Sequence, residues 1–268
     1  FRSVLALAPA AEAGAPRRSA ARMELAVQSG LAYLASRQKA DGSFACDKYP
    51  AAVTGLACLA VLAHRDDRLP EKHEAMLRKG LNFILRQQGE NGMVGSSLYE
   101  HAIATLVALQ MLGMGEPDED PRLVTFCRKA VAVTIEAGQV RKSRRARGGW
   151  AYEPTSKRSD LSNTSWQVLV LFSASQCGFE VPPALYEEAL KYVQRCRQKE
   201  GYGYKPAFTK RSGKAHRSLT GVALFLKSIL DPASLEQDWQ VLDWLTAVPP
   251  SWGGKQYRGY FFCASFYL

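Results

Sequence analysis

Five stretches of the chain are apolar on nearly every helical face: Ala51 to Ala63, Tyr99 to Leu112, Asn163 to Cys177, Arg217 to Leu230, and Gly259 to the end. No charged residue falls within Ala102 to Leu112 or Val168 to Ala174. A helix that is apolar all round must be buried on all sides. Between these stretches, apolar residues recur at helical spacing on one face only, as at Leu31, Leu34 and Ala35 or at Leu81, Ile84 and Leu85. The other face carries Glu24, Arg37, Lys79, Arg86, Lys191 and Arg195. The pattern predicts an all-α protein in which buried and amphipathic helices alternate. Two concentric layers of helices closing into an α/α toroid satisfy both patterns; an open superhelix of the same hairpins is the alternative.

The pairs repeat. Gly30 to Gln38 runs into Asp41-Gly42-Ser43-Phe44, and Gly80 to Gln88 runs into Asn91-Gly92-Met93-Val94, matching position for position 50 residues later. A third copy leads from Val131 to Gly149-Trp150, a fourth from Ala189 to Gly201-Tyr202-Gly203-Tyr204, and a degenerate fifth from Val241 to Trp252-Gly253-Gly254. Glycine or asparagine in these turns suits a positive φ and predicts the end of each first helix there. Self-similarity at a period near 50 residues indicates stacked αα-hairpins, about five to six of them.

Composition adds boundaries. With 268 residues and 47% hydrophobic content, the chain can bury a large core. Residues 1–22, rich in Ala, Pro and Arg, read as an N-terminal extension, and 23–268 as a single repeat domain. No apolar run reaches the roughly 18 to 20 residues of a membrane span, so a soluble protein is expected, in a bacterial cytoplasm or exported. The six cysteines lack paired CxxC spacing and read as buried small hydrophobes.

The Gly-x-x-aromatic-Leu-x-x-x-Gln-x-x-x-Gly-aromatic frame resembles the prenyltransferase and squalene cyclase repeat, the QW repeat. It is carried by Gly30, Tyr33, Leu34, Gln38, Gly42 and Phe44, and again by Gly80, Phe83, Ile84, Gln88 and Gly92. The chain looks most like the small bacterial prenyltransferase-repeat proteins that carry a Tyr-Pro-x-Ala-Val-Thr-Gly turn, here Tyr49 to Gly55, and a Tyr-Glu-His helix start, here Tyr99 to His101. The resemblance implies the toroid, and it implies a terpene cyclase or prenyltransferase chemistry whose motifs are mostly missing. Of the Asp-x-Asp-Asp acid element, Asp160-Leu161-Ser162-Asn163 keeps one carboxylate. The zinc-binding histidine of the prenyltransferases would fall on Asn163, and their Asp-x-Cys pair near Tyr99 to His101, where Glu100 and His101 stand without a Cys. Only Glu100, His101, Asp160 and His216 remain as zinc ligands, so no cofactor is expected, with zinc as the alternative.

In a toroid, the starts of the inner helices open on one cavity mouth. Asp160, His101 and Glu100 are then the candidate catalytic groups, and Tyr99, Trp166, His216, Arg217, Arg258 and Tyr260 the candidate ligand-binding ones. Asp160 and Asn163 read equally as helix caps, Glu100 as a complement to a helix dipole, the histidines as hydrogen-bonded structural residues and Trp166 as core.

Charge is what capping and packing leave over. Between Gln139 and Arg217 stand 16 Lys or Arg against 6 Asp or Glu, and the rest of the chain is balanced. Two long turns, Arg141 to Arg147 and Lys205 to Arg217, hold much of this excess, which is either a solvated surface or an electropositive rim. Two functions are therefore expected as alternatives. One is a cyclase-like or prenyltransferase-like protein binding an isoprenoid or other amphiphilic anionic small molecule in its cavity. The other is a non-catalytic scaffold for a protein or peptide partner. Contact with a membrane surface fits the charge, whereas nucleic acid does not, since no reading helix, zinc finger or aromatic platform is visible.

Overall fold

A computed structural model of the protein describes residues 17–64, 71–114, 120–206 and 215–246. Among these residues the chain is all-α, with nine α-helices, one 3-10 helix and no sheet. In order they are α1 (Arg17–Arg37), α2 (Pro50–Ala63), α3 (Glu71–Leu85), α4 (Leu98–Leu112), α5 (Pro121–Gln139), α6 (Leu161–Gln176), α7 (Pro183–Arg195), α8 (Arg217–Leu230), the 3-10 helix Pro232–Asp238, and α9 (Trp239–Thr246). The fifth turn at Trp252 to Gly254, the apolar stretch from Gly259, and the candidates Arg258 and Tyr260 lie outside the described residues.

The all-round apolar stretches are the buried helices. In α4 every residue from Glu100 to Leu109 is buried, and in α6 every residue from Asn163 to Leu171. Their starts fall within two residues of the hydrophobic boundaries because local chemistry fixes them. Pro50 opens α2, whose first amides need no helical partner. Ser97 accepts the Glu100 amide at 3.3 Å at the start of α4, and Asp160 accepts the Asn163 amide at 2.8 Å at the start of α6.

By contact density the chain divides into two compact units, one up to Val131 with Gln176–Gly178, the other from Ala132 to Ser175 and from Phe179 onward. In the first, α2 packs against α4, α3 and α1. In the second, α8 packs against α7, the 3-10 helix and α9. Helix α1 is exposed from Ala21 to Gly30 and enters the core only at Leu31.

The turn glycines do not stop the helices. Helices α1, α3 and α5 end at Arg37, Leu85 and Gln139, several residues before Gly42, Gly92 and Gly148. These glycines, at φ 91°, 81° and 79°, sit at the far end of each turn against the backbone of the next outer helix. A Cβ at Gly148 would land on the Glu188 carbonyl of α7.

One hydrogen bond recurs at all four described turns. The amide of the apolar residue after the glycine donates to a side chain near the start of the following inner helix. Phe44 donates to Thr54 Oγ1 at 3.2 Å, Val94 to His101 Nδ1 at 3.0 Å, Trp150 to Thr164 Oγ1 at 3.0 Å and Tyr202 to Thr220 Oγ1 at 2.9 Å. The glutamine of the repeat frame ties each of the first two turns to the next hairpin. Gln38 Nε2 donates to the carbonyls of Gly42 and Met76, at 3.0 and 2.9 Å, and Gln88 Nε2 to those of Gly92 and Phe126, at 3.1 and 3.0 Å.

Two substitutions separate conformation from packing. Gly178 has φ 81° with nothing near its Cβ position, so Gly178→Ala should cost only the left-handed penalty, about 1–2 kcal/mol. Gly148→Ala adds a collision with backbone and should cost at least about twice as much in chemical denaturation. Equal losses would remove the close approach as the reason for glycine.

Candidate functional site

Glu100 is buried in the first turn of α4, yet it does not serve its own helix, which Ser97 caps. Its Oε1 accepts the Ala51 amide at the start of α2, at 2.9 Å. Its Oε2 accepts the amide and the hydroxyl of Ser96, at 2.9 and 3.2 Å. Gly95, at φ 69°, lets the carboxylate lie against the backbone where any Cβ would collide. The dipole that Glu100 complements is that of α2.

His101, one residue on, is fully buried and faces other partners. Nδ1 accepts the Val94 amide, so Nε2 carries the hydrogen and donates to the Ala130 carbonyl of α5 at 3.0 Å. Burial in apolar surroundings pulls its pKa from the usual range to about 4, only partly countered by the Ala130 bond. His101 is therefore a neutral clamp. It stands where Thr164 and Thr220 stand in α6 and α8, the fourth residue of the helix.

In the second unit, Asp160 caps α6 and is 3% exposed. Its Oδ1 accepts the Asn163 amide at 2.8 Å, and its two oxygens accept Asn163 Nδ2 at 3.1 and 2.9 Å. Tyr204 also hydrogen-bonds the carboxylate, and Tyr152 bonds Tyr204. The Tyr204 carbonyl takes the Leu161 amide at 3.0 Å, which fixes the fourth turn to the start of α6. Burial raises the Asp160 pKa from its ordinary value despite the bonds from Asn163 and Tyr204 and the nearby Lys205 charge. Burial likewise raises the Tyr204 pKa, keeping its hydroxyl protonated. Asn163 Oδ1 is buried with no hydrogen-bond partner. Tyr152, 48% exposed, carries the chain of hydroxyls to the surface.

Tyr99 is half-buried, Trp166 is buried in α6, and His216 is exposed at the start of α8 without a side-chain cap bond. Arg217 stacks over the Trp244 ring at 4.7 Å and donates to its carbonyl at 3.2 Å. Among the described residues no three His, Cys, Asp or Glu side chains gather as a metal-ligand set. Cys58, Cys127 and Cys196 are buried, Cys46 and Cys177 half-buried, and all five are free thiols; Cys263 lies outside the described residues. Burial pushes the Cys58 and Cys196 thiols up to about 12.

Two features escape sequence reasoning. Lys142 reads as part of a solvated basic run, yet it is buried and donates Nζ to the carbonyls of Ala137 and Gly149 beside the Trp150 ring. Burial lowers its pKa to about 8. In the same unit Asp238 is buried between Lys227, Arg197 and the Tyr202 hydroxyl, which donates at 3.0 Å. Neither has a local sequence signal, because Lys142 bonds backbone carbonyls, which any sequence offers, and the partners of Asp238 lie on different elements.

No family model matches the chain, and no curated protein matches it. Among solved structures it is similar to a protein from Actinoplanes, at 17% identity and a TM-score of 0.39, over 84% of this chain and 80% of that one.

The His101 environment sets a pH dependence with a definite sign. The unfolded imidazole binds a proton near pH 6.5 and the folded one only near 4, so stability is lost as pH falls through that window. The shift amounts to about 3 kcal/mol. Acid denaturation of His101→Gln should lack this component between pH 6.5 and 4, and parallel curves for the two proteins would refute a neutral clamp. For Asp160 the sign is opposite, since its raised pKa costs stability once the group ionises. Asp160→Asn, which retains a capping oxygen, should melt at or above the parent at neutral pH and lose that gain where Asp160 is protonated.

Proposed function

We propose that the protein is a non-catalytic binding scaffold for a protein or peptide partner, made from αα-hairpin repeats of the kind found in prenyltransferases and squalene cyclases. The observation that supports this is the use of Glu100 and His101. By the resemblance, these two residues fall near the positions where the prenyltransferases place zinc ligands. Here all four ring and carboxylate atoms that could face a substrate are engaged with backbone: Glu100 with Ala51 and Ser96, His101 with Val94 and Ala130. Chemistry at a carboxylate or imidazole needs a lone pair or proton that a substrate can reach. These groups hold turns instead.

Asp160 supports a second reading, an amphiphile-binding protein with acid chemistry. A buried carboxyl with a raised pKa, linked by Tyr204 and Tyr152 to the surface, has the properties of a proton donor to an alkene or leaving group.

Glu100→Ala discriminates at the level of stability. Removing a catalytic carboxylate leaves a fold as stable or more so, whereas orphaning the Ala51 and Ser96 amides should cost about 2–4 kcal/mol in urea denaturation. An unchanged midpoint would return Glu100 to the catalytic candidates. Native mass spectrometry of the purified protein tests the reading directly. The expected mass is that of the chain alone, with a melting temperature indifferent to farnesyl diphosphate. A stoichiometric isoprenoid, or product formed from one and lost in Asp160→Asn, would establish the second reading.

A further inference from the structure

The turn between α5 and α6 is basic and it is also built. From Arg141 to Ser159 its only acidic residue is Glu153. Arg141, Arg144, Arg145, Arg147, Lys157 and Arg158 are all exposed. A run of this composition in a floppy loop would be solvated and no more. Here the backbone that carries it is fixed at several points.

Arg147 and Ala146 donate their amides to the Ser143 carbonyl, both at 3.0 Å, closing a tight turn. Buried Lys142 ties its start to the end of α5 and to Gly149. The Arg195 guanidinium of α7 donates to the Arg147 carbonyl. Ser159 Oγ donates to the Ala146 carbonyl at 2.7 Å, which brings Lys157 and Arg158 beside the Arg144–Arg147 turn. Trp150, fully buried, anchors the centre through its indole to the Thr134 carbonyl and its amide to Thr164. Six cations are thus displayed on a backbone whose ordering cost is already met in folding, which is the condition for converting charge into specific affinity.

We infer that this turn is a docking surface for an acidic segment of a partner protein, with carboxylates received by the guanidinium forks of Arg144 and Arg147. The inference rests on the scaffold reading and names the partner's chemistry. Arginine predominates, and its planar fork matches carboxylates two bonds at a time. A membrane surface suits the charge but calls for apolar side chains to insert, and Tyr152 is the turn's one exposed large hydrophobic residue among those described. A single-stranded nucleic acid calls for a row of stacking rings, and the turn offers that one tyrosine. A short acidic peptide needs neither.

The test uses the full chain and three fluorescent probes: an oligoglutamate peptide, an oligothymidylate of similar length, and vesicles of phosphatidylcholine with phosphatidylserine. Two charge-matched variants are compared, Arg144→Ser/Arg145→Ser/Arg147→Ser in the turn and Arg22→Ser/Arg37→Ser/Lys39→Ser on and after α1, with thermal melts confirming that both fold. The turn variant should weaken peptide binding about tenfold or more, and the α1 variant by less than about twofold. Equal weakening by the two variants would reduce the effect to net charge and overturn the proposal. So would tighter binding of oligothymidylate or vesicles than of peptide with the same dependence on the turn, or no peptide binding at all. The scaffold reading is decided separately, by the isoprenoid that does or does not accompany the purified protein.

Discussion

A buried amide with no water to bond must find an acceptor or cost about 1–3 kcal/mol. The turns of this protein are arranged around that requirement. Phe44, Val94, Trp150 and Tyr202 fill the gap between the outer and inner helix of a hairpin, and each is at most 5% exposed. Their amides cannot be hydrated, so the inner helix supplies a side-chain acceptor. In three cases it is a threonine, short enough that helix and turn must lie in contact. In the fourth it is His101, whose longer side chain lets one ring span from the Val94 amide to the Ala130 carbonyl of α5.

That constraint fixes two points and leaves the chain between them free. The clamped residues are separated by 10, 7, 14 and 18 positions in the four turns. The longer connections therefore add residues at the surface without altering the joint between helices. The basic segments of the third turn flank its clamp on both sides, Arg141 to Arg147 before Trp150 and Lys157 to Arg158 after it. Charge accumulates where the architecture tolerates extra length, and the bonds from Lys142, Ser159 and Arg195 then give that length a defined shape.

The helices were legible in the sequence because burial on all faces writes itself into every position of Ala102 to Leu112 and Val168 to Ala174. The threefold or fourfold role of each turn was not. Gln38 and Gln88 recur visibly, but only the structure attaches them to carbonyls 38 residues ahead. Glu100 looks like a first-turn carboxylate serving its own helix, and its bond to Ala51 runs back 49 positions. Tyr204 and Asp160 meet across 44 positions, and nothing in Gly201-Tyr202-Gly203-Tyr204 distinguishes the tyrosine that packs from the one that reaches the carboxylate. Lys142 illustrates the same limit in reverse. A lysine among arginines reads as solvated, and only the carbonyls of Ala137 and Gly149 make its burial favourable.

Asp160 is the residue that architecture explains least completely. An N-cap needs one oxygen, and Ser or Asn would provide it without the cost of a buried charge. The carboxyl instead holds Asn163 by both its amide and its side chain, in contact with Tyr204. Its raised pKa leaves the protonated form within reach, and that form needs an acceptor for its hydrogen. Asn163 supplies one, since its Oδ1 is the buried atom without a partner, and turning the amide about its own axis exchanges Nδ2 for Oδ1 at the carboxyl. Asp160 and Asn163 can thus stay hydrogen-bonded to each other in either protonation state, with Tyr204 and Tyr152 leading from the carboxyl to the surface. Capping alone asks for none of this, which is why Asp160 stays the site from which chemistry would be sought first.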